Sequence, residues 1–188
     1  YRPNNATLVV AGDFDAVQTK DWIEKYFGEI PTGDPVADPV PVPAKLAERK
    51  RAFHEDNFAQ APELNMVFPT VEQFHEDMYA LDVLGDLFSR GKKAPLYKVI
   101  VEERKLAPGA WGGNGSGEIA GTFDITVRAF PEVNLTDVEA AVHEAFKRFE
   151  AEKFTESDLD RIKIRIRTSF FDGLSSVLGK SFALARYN

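Results

Sequence analysis

The apolar and polar positions divide the 188-residue chain into helical and extended stretches. Leu8, Val9, Val10 and Ala11 form a short continuous apolar run, the pattern of a strand covered on both faces. Gly12 to Asp15 reads as a turn. Asp13 or Asp15 can cap a helix whose stripe is Ile23, Tyr26, Phe27 and Ile30. From Thr32 to Lys50, Pro35, Pro39, Pro41 and Pro43 alternate with valines. Prolines at this density exclude helix and favour an extended, semi-rigid strap over a surface. Short strands are expected at Ala52 to His54 and at Leu64 to Phe68, where Leu64, Met66 and Phe68 share a face. Val71 to Phe88 predicts an amphipathic helix on Phe74, Met78, Leu81, Leu84 and Phe88. A second helix carries Leu96, Val99, Ile100 and Leu106. Phe123, Ile125, Val127 and Ala129 then alternate with Thr122, Asp124, Thr126 and Arg128, which predicts a strand with one buried face. Asn134 opens a helix with Val138, Val142, Ala145 and Phe149 inward. Thr155, with Asp158 three residues on, opens another in capping-box style, with Leu159, Ile162, Ile166 and Phe170 on its stripe. Ile162 to Arg167 also alternates like a strand, and here the cap and the length favour helix. A last helical pattern runs from Ser181 to Tyr187.

Between the Leu96 helix and the Phe123 strand lie Gly109, Gly112, Gly113, Gly115, Gly117 and Gly121. Such a segment leaves main-chain N–H and C=O groups uncovered and beside a sheet can accept an extended peptide as an added strand. It can equally be a flexible hairpin connection with a bulge. The residues alone leave both readings open.

Composition narrows the function classes. Hydrophobic residues are 44% and charged residues 28% of the chain, an ordinary globular balance. The net charge of −7 argues against nucleic acid as the main partner. With no cysteine, disulfides and thiolate metal sites are excluded. No apolar run approaches the ~18 residues of a membrane span. The chain starts without Met at Tyr1 and ends inside a helical pattern at Asn188, so it reads as an excised piece. His54, His75 and His143 fall on different expected elements. A thermolysin-like zinc helix beginning at His75-Glu76 would need a histidine where Tyr79 stands, and the inverted His-x-x-Glu-His order does not occur. Zinc needs a tight set of three or more ligands, so no catalytic residue and no metal ligand is assigned to this chain.

An ordered set of short segments nevertheless resembles the pitrilysin/insulinase (inverzincin) zinc metallopeptidases. It comprises Tyr1 to Asp13, Tyr26 to Pro31, Leu84 to Ser89, Pro95 to Tyr97, Glu103 to Ala107 and the glycine-rich strand pair. The resemblance implies an α+β fold, with a mixed or antiparallel sheet packed against several helices. It also implies a chain order. Residues 1–31 would be the strand-helix tail of a preceding catalytic-type domain, 32–50 a Pro-rich linker, and 51–188 a C-terminally truncated non-catalytic domain. The Arg and Tyr with which the family holds substrate align with Val101 and Pro108, so that pair is absent. The loop from Ser89 to Ala94 stands where the mitochondrial processing peptidase has a long glycine-rich substrate loop, and here it is short and basic. In the insulinase branch a glycine-rich strand of this domain anchors the substrate's N-terminal end by strand addition. Ala110, Trp111, Gly112, Gly113 and Asn114 occupy that place and are the expected substrate-binding residues.

By resemblance, then, the chain is expected to be a non-catalytic domain of a zinc-dependent metalloendopeptidase that helps form the peptide chamber. Its partners would be a peptide substrate, an upstream zinc-bearing domain and downstream domains, and the zinc would belong to the parent protein alone. The alternative is a catalytically inactive core-type subunit of the same fold. Compartment stays open between bacterial periplasm and cytoplasm. One further expectation concerns Leu8 to Ala11. A sheet lacking its final strand exposes an apolar face, so this run is expected to pack on the 50–188 body, in its own chain or by a strand-swapped homodimer.

Overall fold

The computed structural model of the protein describes residues 2–42 and 44–187. It divides into two compact units, residues 1–38 with 163–188, and residues 39–162. The larger unit carries the sheet. Strands β1 (Glu63–Thr70), β2 (Trp111–Ser116) and β3 (Gly121–Arg128) form an antiparallel sheet in the order β1-β3-β2. Ile125 of β3 faces Met66 of β1 and Gly112 of β2, so these three share one face. Phe123, Ile125 and Val127 are buried, and the intervening Thr122, Asp124 and Thr126 are half-buried on the other face.

In the larger unit the core forms on the Ile125 face, against three of the helices. In chain order the helices are α1 (Ala16–Phe27), α2 (Glu76–Ser89), the short turn α3 (Pro95–Tyr97), α4 (Leu135–Glu152), α5 (Glu156–Gly173) and α6 (Val177–Arg186). Phe88 from α2, Leu96 from α3 and Val138, Ala141, Val142 and Ala145 from α4 are all buried in one cluster with β3. After α3 the chain widens into a π-helical stretch, Lys98–Glu103, and the Arg104 N–H donates to the Val99 carbonyl five residues back at 2.9 Å. The wider turn buries the adjacent Val99 and Ile100 together, which one face of an α-helix does poorly. Outside, Arg148 of α4 makes a two-point ion pair with Glu103 at 2.6 and 2.9 Å, and Arg104 reaches Glu144 at 2.6 Å.

Several local expectations are met by identifiable caps. Asp15 accepts from the Gln18 N–H at the start of α1, and Asn134 accepts from the Thr136 N–H at the start of α4. Thr155 and Asp158 bond reciprocally before α5. The alternating run from Ile162 to Arg167 is therefore helical.

Other expectations need correction. The Val71–Phe88 helix starts five residues later, at Glu76. The Gln73 N–H is spent on the Gly117 carbonyl at 2.8 Å, Phe74 sits at φ 68, and His75 becomes the cap by accepting from Asp77 at 3.1 Å. Ala52 to His54 forms no strand, and Phe53 is exposed. The last helix begins at Val177, capped by Ser176. Leu8 to Ala11 pairs with no strand among the described residues, with Leu8 60% and Val10 44% exposed. Leu8 to Ala11 therefore forms no strand of the described sheet. An apolar run becomes a buried strand only if a sheet edge takes up its main-chain groups, and here none does. The smaller unit has no buried residue among those described. Within it Arg2 and Asn4 hydrogen-bond to Asp34 and Gly33.

The proline-rich strap is fastened within the larger unit at two places. The Val42 N–H donates to the Ile119 carbonyl at the tip of the β2–β3 hairpin, 2.8 Å. Arg49 and Arg51 both donate to Glu139 on α4. The Arg49 hydrogen bond, supported by the charges of both arginines, holds the Glu139 carboxyl below the usual carboxylate range, while partial burial opposes it. A lowered folded pKa stabilises above the unfolded value of about 4.3, and the contribution is lost as pH falls through the folded value. Glu139→Gln is therefore expected to flatten the acid limb of the stability curve, read as denaturant midpoint against pH below about pH 5. Parallel curves for the two proteins would show that this clasp is not linked to folding.

Candidate functional site

α2 and β2 lie side by side and run in opposite directions. Asn114 donates to Asp82 at 3.2 Å, and the Ser89 hydroxyl donates to the Gly112 carbonyl at 2.5 Å. Between these two contacts Gly85 lies over Gly113, where an added Cβ would stand 2.9 Å from the Gly113 Cα. Asp82, Gly85 and Ser89 are spaced i, i+3 and i+7, so one stripe of α2 follows β2. The close approach depends on glycine at both levels, since Gly112 is on the core face of β2 and has no side chain to hold the helix away.

The hairpin fixes which main-chain groups are available. The Gly117 N–H bonds to the Ala120 carbonyl at 2.8 Å, closing the turn. By alternation Gly115, Gly113 and Trp111 then exchange their bonds with β3, and Gly112, Asn114 and Ser116 turn theirs outward. The outer edge of β2 has no strand partner among the described residues. Along it runs a cleft of about 600 Å³ lined by all five residues expected from the sequence, Ala110 to Asn114, together with Gly109 and residues of α2, the following loop and Tyr97.

The cleft is charged unevenly. Asp82 and Asp86 lie toward Asn114, with Asp86 paired to Arg90 at 3.2 Å. Arg90 and Lys92 lie past Ser89, toward Ala110, at the turn where Gly91 takes φ 86. Trp111 is 56% exposed, and its ring rests over Gly113 on the sheet face away from α2.

The five residues are thus brought together, with one change of role. The expectation treats Gly112 and Gly113 alike as open edge, whereas Gly113 is bonded inward and Gly112 is buried with its carbonyl already engaged. Asp82, Gly85 and Ser89 also line the cleft, and sequence reasoning missed them. The available signal was Gly85 itself, a glycine inside a helical pattern, which marks a close approach. Ser89→Ala would strand the Gly112 carbonyl against α2. It is expected to cost about 1–3 kcal/mol in denaturant unfolding, because a buried acceptor loses its donor. A change within error would mean that water replaces the hydroxyl.

The three histidines stay apart. His75 caps α2, His143 lies on α4 at 3.9 Å from Glu139, and His54 lies on an irregular segment. Among the described residues no group of three or more His, Cys, Asp or Glu comes together as a metal site. No helix among them is long and apolar enough to cross a membrane.

The larger unit is an α+β domain, a small antiparallel sheet packed against helices, and the sequence assigns its family. The chain matches the peptidase M16 inactive domain over residues 1–166, and it belongs to that family. It is similar to the zinc protease PqqE of Helicobacter pylori, 25% identical over 180 residues, covering 94% of this chain and 40% of that protein. Its fold is that of a protease from Helicobacter pylori, with a TM-score of 0.79 at 22% identity, covering 99% of this chain and 46% of that one. A peptidase M16 inactive domain from Pseudomonas fluorescens superposes with a TM-score of 0.70 at 18% identity, over 93% of this chain and 40% of the other. The chain spans less than half the length of these relatives.

Proposed function

We propose that this non-catalytic domain serves a longer zinc-dependent endopeptidase by anchoring an extended peptide along the outer edge of β2. One observation carries the reading. Among the described residues the outer edge of β2 has no strand partner, and α2 makes that edge the floor of a walled cleft. Strand addition supplies affinity through main-chain hydrogen bonds, and pockets for alternate side chains supply selectivity. The outward groups of Asn114 and Ser116 and the N–H of Gly112 would make those bonds, and the Gly112 carbonyl, held by Ser89, contributes least. No residue of this chain is given a chemical step. In the parent, zinc would supply Lewis-acid and water-activating chemistry, and no described residue of this chain would hold it. The zinc protease PqqE relationship supports zinc in the parent.

Hydrogen exchange tests the anchor. Adding an extended peptide should slow exchange at the Gly112 and Asn114 amides, and N-methylation of alternate peptide amides should abolish binding. Peptide binding that leaves both amides unprotected would place the peptide elsewhere. For the parent, chelation should stop peptide hydrolysis and zinc should restore it. A full-length protein that binds peptide but never cleaves it would be an inactive subunit of this fold.

A further inference from the structure

On the reading that the β2 edge accepts a strand, its two sides differ, and that difference is a selectivity filter. A guest strand along β2 presents its side chains alternately to the α2 side and to the open face of the sheet. Gly113 bonds inward to β3, so in an antiparallel guest the residue opposite it is a non-hydrogen-bonded neighbour, the arrangement in which side chains come closest. On that face Gly113 has no side chain. The Trp111 ring lies over it, with a Gly113 Cβ position only 3.0 Å from the ring. The ring is 56% exposed, and the adjacent strand β3 presents the polar row Thr122, Asp124 and Thr126 on this face, with the exposed Val67 of β1 beyond it. Asp124 is already engaged by Thr122 at 2.7 Å, and Thr126 by Asn65 at 2.7 Å. Trp111 is therefore the one large apolar surface on β2 that a guest side chain meets. On the α2 side, the guest residue opposite Asn114 lies beside Asp82, while Arg90 and Lys92 stand at the far end of the cleft.

We propose that Trp111 and Asp82 make this edge selective for extended peptides that place a large apolar side chain opposite Gly113 and a basic side chain on the neighbouring residue opposite Asn114.

The test uses the chain as it stands, titrated by fluorescence anisotropy with labelled, end-blocked short peptides of Ser and Thr. A central position carries Phe or Gly, and a Lys or Glu sits immediately before or after it. The Phe peptides with Lys on one side are expected to bind about 10-fold more tightly than their Gly counterparts, the scale of one aromatic contact. Trp111→Ala should collapse the Phe-to-Gly ratio toward unity, and Trp111→Phe should restore most of it. Asp82→Asn should remove the preference for Lys over Glu. The side on which Lys is preferred reports the direction of the guest strand. Equal affinity for Phe and Gly peptides, or a ratio that survives Trp111→Ala, overturns this inference and leaves the edge site standing. Absence of saturable binding by every peptide removes the edge site, and the selectivity falls with it.

Discussion

Phe88→Ala is expected to cost the larger unit about 3–5 kcal/mol, the range for removing a buried phenylalanine without collapse of the cavity. Phe88 is 1% exposed and stacks on Phe146 at 4.6 Å and 12°. Phe149 meets it edge-on at 6.0 Å and 85°, and Phe68 of β1 meets Phe146 at 6.2 Å. One ring thus joins α2 to α4 and, through Phe146, to the sheet. Phe146 and Phe149 are both on α4, so neither can close the void without moving that helix off β3. Denaturant unfolding followed by tryptophan fluorescence in a Trp22→Phe background gives the measurement, since Trp111 then reports on the larger unit alone. A loss below about 1 kcal/mol would show that the cluster repacks freely, contrary to close-packed interiors. A second consequence separates packing from site. Phe88 precedes Ser89, so the alanine variant should also loosen the Ser89 to Gly112 hydrogen bond and weaken peptide capture.

The strongest patterns in the sequence became the core. β3 was readable because Phe123, Ile125 and Val127 alternate against polar residues, and a strand with helices on one face must show that period. α4 was readable from its cap and its stripe, and Val138 and Val142 are fully buried. At Leu8 to Ala11 composition describes a strand, but pairing decides whether one exists. Phe74 departs from its pattern. It fits the helical stripe of α2, yet the Gln73 N–H is drawn to Gly117, and the chain turns through a left-handed residue before the helix begins. Neither event is visible in a local window, because each depends on a partner far along the chain.

The candidate site was legible in part for the same reason. Six glycines in a short stretch announced that main chain would be exposed or closely approached, without saying which. The structure separates the two outcomes residue by residue. Gly112 and Gly113 are approached by α2, while Asn114 and Ser116 keep outward groups. The wall of the cleft comes from α2, more than twenty residues earlier, and no spacing rule relates the two. What the hairpin register adds is phase, which gives the edge of a glycine-rich strand one apolar side and one charged side.

Gly85 is the position where site and stability meet, and its substitution has an unusual sign. In an exposed helix Gly→Ala stabilises by about 1 kcal/mol. At Gly85 the new Cβ would stand 2.9 Å from the Gly113 Cα and 3.5 Å from the Gly112 carbonyl oxygen, all main chain and unable to swing aside. Carbon atoms prefer roughly 3.5–4.0 Å, so α2 must lift from β2. Lifting stretches the Ser89 to Gly112 and Asp82 to Asn114 bonds together, as both lie on the same stripe. The expected result for Gly85→Ala is no gain in stability, the propensity term being consumed by the displacement. Gly85→Leu is expected to lose about 1–3 kcal/mol, the usual cost of overpacking. Both variants should widen the cleft and weaken peptide capture, with leucine the stronger. Denaturant midpoints and anisotropy titrations on the same preparations give the two readouts. A Gly85→Ala variant that is about 1 kcal/mol more stable and binds peptide normally would show that α2 rides free of β2. In that case the close approach of the two glycines does not shape the edge.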